Sequence, residues 1–159
     1  RRQGRPGRLI RPIAARPSPF LASVAALVGV NYTAAKHVAN QIGISAADSR
    51  LWSETAHVQR LLKCYRLCTS SRPTPFVSWD ALPNRALLAI KWHRVKGRAF
   101  WHWVVFVRDV NGAYVLDSSR SLTCHVRKDF WRMKPKWFIE IKRATSLDNN
   151  NINRAGWAR

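Results

Sequence analysis

The chain has 159 residues, with 28 Lys and Arg against 8 Asp and Glu, a net charge of +20 and a pI near 11.6. Hydrophobic residues make up 47% of it, which excludes a disordered polycation and suffices for one domain with a buried core. Three cysteines, Cys64, Cys68 and Cys124, exclude a disulfide framework. So positive a field favours nucleic acid, an anionic membrane or an acidic partner. The longest apolar run, Pro19 to Val30, is too short to cross a bilayer as a helix.

Residues 1–18 hold six arginines and no acid, and Pro6, Pro12 and Pro17 break any helix there. This segment reads as an extended basic arm, followed by one domain over 19–145 and a polar tail over 146–159. Within the domain, 20–28 reads as a short buried helix ended by Gly29, and 33–41 as a second helix stopped at Gly43. Residues 53–67 read as a third, with Val58, Leu61, Leu62 and Tyr65 inward and Arg60, Lys63 and Arg66 in solvent. After a turn-rich link at 70–75 the period changes. Residues 86–92, 100–108, 113–117 and 137–141 read as strands. Helices followed by an antiparallel sheet give an α+β class.

Two arrangements could carry chemistry. His102 starts one apolar strand and Asp117 ends the next, across a turn that contains Asn111-Gly112, a strong hairpin signal. The hairpin puts both at its open end, where a carboxylate could orient an imidazole as a general base. The alternatives are a strand histidine on a backbone carbonyl and a turn aspartate. The second arrangement interleaves cations with aromatics. Arg127, Lys128, Arg132, Lys134 and Lys136 with Trp131 form the candidate nucleic-acid surface, and Trp92 and Trp137 could extend it as stacking platforms. Residues 33–63 also admit a DNA-binding helix-turn-helix, which would need an exposed basic recognition helix near 47–63. Cys64, Cys68, Cys124 and His125 could be imagined as a zinc site. No second close pair completes it, so three reduced, mostly buried thiols are expected, with no metal and no cofactor.

The run Pro19-Phe20-Leu21-Ala22-Ser23-Val24-Ala25-Ala26-Leu27-Val28-Gly29-Val30-Asn31-Tyr32, with His102-Trp103-Val104-Val105 and Leu116-Asp117-Ser118, resembles the papain-like cysteine peptidases. The similarity is to their small bacterial branch, which includes double-glycine leader peptidase domains, and it spans roughly residues 19–118. It implies N-terminal helices packed on an antiparallel sheet, with His102 and Asp117 as catalytic-type residues beneath the first helix. The family's nucleophilic cysteine falls on Pro19, which has no reactive atom, and its upstream glutamine falls near Ile13. Ser18 is adjacent but has no evident base or oxyanion hole. The resemblance therefore implies a chain without thiol-peptidase activity that binds a peptide or an anionic partner; a cytoplasmic location is expected. A cysteine restored at Pro19 would, on this view, give His102 a thiol to deprotonate.

Overall fold

The computed structural model describes residues 18–45, 48, 50, 54–117 and 125–143. The basic arm through residue 17, Cys124 and the polar tail lie outside them. Among the described residues, three α-helices, α1 (Pro19–Val28), α2 (Tyr32–Gln41) and α3 (Thr55–Cys64), precede seven strands. These are β1 (Leu67–Thr69), β2 (Thr74–Pro75), β3 (Arg85–Val95), β4 (Arg98–Asp109), β5 (Gly112–Leu116), β6 (Val126–Arg127) and β7 (Trp137–Arg143). All pairings are antiparallel, in the order β1-β7-β3-β4-β5-β6, with β2 also on β7. The α+β expectation holds.

Local chemistry sets the helix ends. Pro19 opens α1, where its missing N–H costs nothing and its fixed φ suits the first turn. Gly29, at φ 74°, closes it in the left-handed conformation. Asn31 caps α2 by accepting from the Ala34 N–H at 2.8 Å. The third helix is shorter than its periodicity suggests. Arg66 takes a φ of 56°, which turns the chain out of the helix, so Leu67 enters β1 opposite Arg143. Arg50 lies in a 3-10 turn, residues 46, 47, 49 and 51–53 lie outside the described ones, and α3 begins at Thr55. Its Val58, Leu61 and Leu62 are buried against the sheet.

The β3–β4 hairpin reaches further than the alternation indicates. Strand β3 runs to Val95 and β4 starts at Arg98, across a two-residue turn with Lys96 at φ 48° and Gly97 at φ 80°. Positive φ at both positions matches the twist of the strands. The register shifts between Ile90 and His93, with Lys91 at φ 52° in the resulting bulge.

Two apolar clusters cover the two faces of the sheet. Phe20, Leu21 and Val24 of α1 and the buried face of α3 pack with Leu87, Trp101, Trp103 and Val105. Leu88, Ile90, Val104, Phe106 and Val115 pack on the other side under Leu82, Met133, Trp79 and Phe130. Arg108 ties that second cover down, donating to the carbonyl oxygens of Leu82 at 2.7 Å and Trp79 at 2.8 Å.

Candidate functional site

Strand alternation decides where His102 points. Trp101 and Trp103 belong to the helix-side cluster, so His102 between them projects to the opposite face and does not lie beneath α1, contrary to what the resemblance implied. Its cross-strand partner, Ile90, belongs to the second cluster, in agreement. The β4–β5 register pairs Val105 with Leu116, and one further step puts Asp117 opposite Val104, diagonal to His102 and on the same face.

His102 Nε2 lies 2.8 Å from Asp117 Oδ1. With a carboxylate as acceptor, Nε2 carries the proton, and Nδ1 is the nitrogen free to accept one. Asp117 is wholly buried, whereas His102 keeps 15% of its side chain exposed. The other carboxylate oxygen, Oδ2, accepts from Arg127 Nη1 at 2.9 Å. Arg127 in turn grips Asp129 with Nε at 2.9 Å and Nη2 at 2.8 Å, a bidentate pair. The residues of His102, Asp117, Arg127 and Asp129 thus form one chain of alternating charge and hydrogen bonds. Backbone bonds brace it, with the Asp117 N–H donating to His125 O at 2.8 Å and His125 Nδ1 donating to Asp117 O at 2.9 Å.

Electrostatics follow from this clamp. Hydrogen bonds to Asp129 and Asp117 raise the Arg127 guanidinium above its ordinary range despite partial burial. The Arg127 guanidinium beside Asp129 holds that carboxyl below the usual range. A carboxyl lowered in the fold contributes stability above its unfolded value and loses it as pH falls through the folded one. The Asp129 clamp should therefore survive acidification through the ordinary carboxylate range and open only below it. Carboxyl carbon NMR of Asp129 checks this: an ordinary titration midpoint would mean that the clamp is absent in solution.

The basic-aromatic segment divides in the structure. Arg127 faces inward onto two carboxylates, so it is a partner of Asp117 and not an open phosphate contact as the sequence pattern suggested. Lys128, Arg132 and Lys134 are exposed, as is Trp131 at 79%. Lys136 places its ammonium 3.4 Å from the centre of the Trp92 ring. Trp137 is half-buried and packs edge-on against Trp101 at 5.1 Å between centroids. The three tryptophans are therefore not one platform, and Trp131 alone presents an open ring.

The described thiols are remote from His102. Cys64 is exposed at the end of α3, not buried as expected, because that helix end faces solvent. Cys68 is half-buried in β1, three strand positions from β4, or roughly 14 Å at ordinary strand spacing. Ser18 is buried at the start of α1. Its N–H donates to the Tyr32 hydroxyl at 2.8 Å, and its own hydroxyl has no partner. Among the described residues no three His, Cys, Asp or Glu side chains group as metal ligands. No helix of the described residues is long and apolar enough to cross a membrane.

Sequence reasoning placed His102 beside Asp117 but missed Arg127 and His125 as their supports. The only signal for Arg127 was its place two residues before Asp129, which does not point to Asp117. No protein-family model, curated protein or solved structure matches this chain.

Proposed function

We propose that this is a papain-like protein that binds a peptide without hydrolysing it, with His102 and Asp117 as a fixed recognition element. The observation that carries the reading is the buried Asp117 holding the partly exposed His102 at 2.8 Å. A carboxylate wholly out of water is costly unless paired, so this arrangement is kept by its partners rather than by solvation. The α+β order and the His102–Asp117 hydrogen bond support the papain-like part, while the position of that pair on the face away from α1 departs from it. The sheet itself supports binding over catalysis: α1 packs on one face and His102 projects from the other, so the helix start brings no nucleophile to the imidazole.

The exposed Trp131 among Lys128, Arg132 and Lys134 favours a second reading, binding of single-stranded nucleic acid by stacking and charge.

One experiment separates them. Ring resonances of His102 and the indole N–H of Trp131 are followed by NMR during titration with a mixed peptide pool and with short oligo-dT. The peptide reading expects His102 to shift with peptides, while a fluorogenic peptide substrate stays at background. An oligonucleotide that moves Trp131 while no peptide moves His102 would replace it with the second reading. Alkylation-sensitive hydrolysis would overturn the non-catalytic part.

A further inference from the structure

From Asp80 to Asp109 the sequence contains no acid, and six Arg and Lys lie between them. The fold gathers four of these, Lys91, Arg94, Lys96 and Arg98, at the outer end of the β3–β4 hairpin. Lys91, Arg94 and Lys96 are all exposed. Beside them opens a pocket of about 440 Å³ lined by Lys91, His93, Val95, Phe100, Trp101 and His102. Its volume falls in the range of small-ligand sites, about 300–1,000 Å³.

The lining is organised. The His93 ring stacks on Phe100 with centroids 6.0 Å apart and planes at 26°. Its Nδ1 donates to the Lys91 carbonyl oxygen at 2.9 Å, which leaves Nε2 as the second polar atom of that ring. The aromatic rings here already carry cations. Lys136 and Arg94 lie over Trp92 at 3.4 and 5.8 Å, and Arg98 lies over Phe100 at 5.5 Å. Rings so occupied offer a nucleobase little open face. What the pocket lining offers is an ammonium and two imidazoles together with the apolar Val95, Phe100 and Trp101. A carboxylate on a short aliphatic stem complements that surface in charge and shape. The hairpin already makes one contact of this kind, since Arg98 lies 3.8 Å from the Glu54 carboxylate.

We infer that this pocket receives an aspartate or glutamate side chain of a peptide partner, with Lys91 as its specificity-determining cation. The inference rests on the peptide-binding reading above and names the partner's chemistry.

The test uses the full chain and a labelled peptide with adjacent glutamates between leucines, its glutamine twin and short oligo-dT, by fluorescence anisotropy at physiological salt. The Lys91→Gln variant removes the exposed cation that lines the pocket. The Lys63→Gln variant removes the same charge elsewhere. The glutamate peptide should bind more tightly than its twin. The pocket variant should weaken it roughly tenfold, as expected for lost charge-assisted bonds, and the distant variant should not. Equal binding of the twins, with His102 still shifted, would overturn the acidic specificity and leave the peptide reading intact. Failure of both peptides to bind would remove both. Equal losses in the two variants would mean that only net charge acts. Oligo-dT binding that is tighter than the peptide's and lost in the pocket variant would assign the pocket to nucleic acid.

Discussion

Asp117→Ala should cost about 3–5 kcal/mol of folding stability, the range for removing one partner of a buried ion pair. The carboxylate is fully buried and takes hydrogen bonds on both oxygens, from His102 and from Arg127. Its loss leaves a guanidinium only 13% exposed with Asp129 alone. In a domain of this size the cost corresponds to a fall of roughly 10 °C in Tm. Denaturant unfolding measures it directly, and a double-mutant cycle with Arg127→Met apportions it. The double variant should be less destabilised than the sum of the singles, since removing both charges leaves no buried ion behind. A cost for Asp117→Ala below about 1 kcal/mol would mean that the array is solvated rather than structural.

Trp103→Ala should cost a similar amount, about 3–5 kcal/mol, for a different reason. Trp103 is among the largest fully buried side chains and sits in the cluster that joins α1 and α3 to the sheet. It packs edge-on against Trp101 at 5.7 Å, and Trp101 packs in the same way against Trp137. Truncation opens a cavity at the centre of β4 and removes one end of that aromatic row. The expected result is a lowered denaturation midpoint with loss of near-ultraviolet tryptophan ellipticity. Val110→Ala, at a fully exposed turn residue, is the control and should change stability by no more than about 0.5 kcal/mol. If Trp103→Ala behaved like that control, the packing of the helices on this face would be wrong.

The two substitutions also separate the faces of the sheet. Trp103→Ala acts on the helix side and should leave the His102–Asp117 hydrogen bond in place. Asp117→Ala acts on the other side and should leave the tryptophan signal near its native value.

Short-range patterns in the sequence by themselves determined the class of the fold and one pair of the site. Asn111-Gly112 closes a hairpin whose strands have period two, so His102 and Asp117 come to its open end on one face through fifteen residues of local chain. The three helices were legible because Val58, Leu61 and Leu62 recur at helical spacing and because Gly29 can take the left-handed conformation. The Lys96-Gly97 turn was not, since lysine carries no turn signal of its own and adopts positive φ only when the strands around it require that. Only the tertiary structure decided that Arg127 belongs to Asp117. That contact needs β6 to pair with β5, Arg127 opposite Val115, and no local pattern announces a two-residue strand. Only the tertiary structure, too, put α1 and His102 on opposite faces. The alternation separates Trp101 and Trp103 from His102, but which set meets the helices depends on the packing of the whole apolar face.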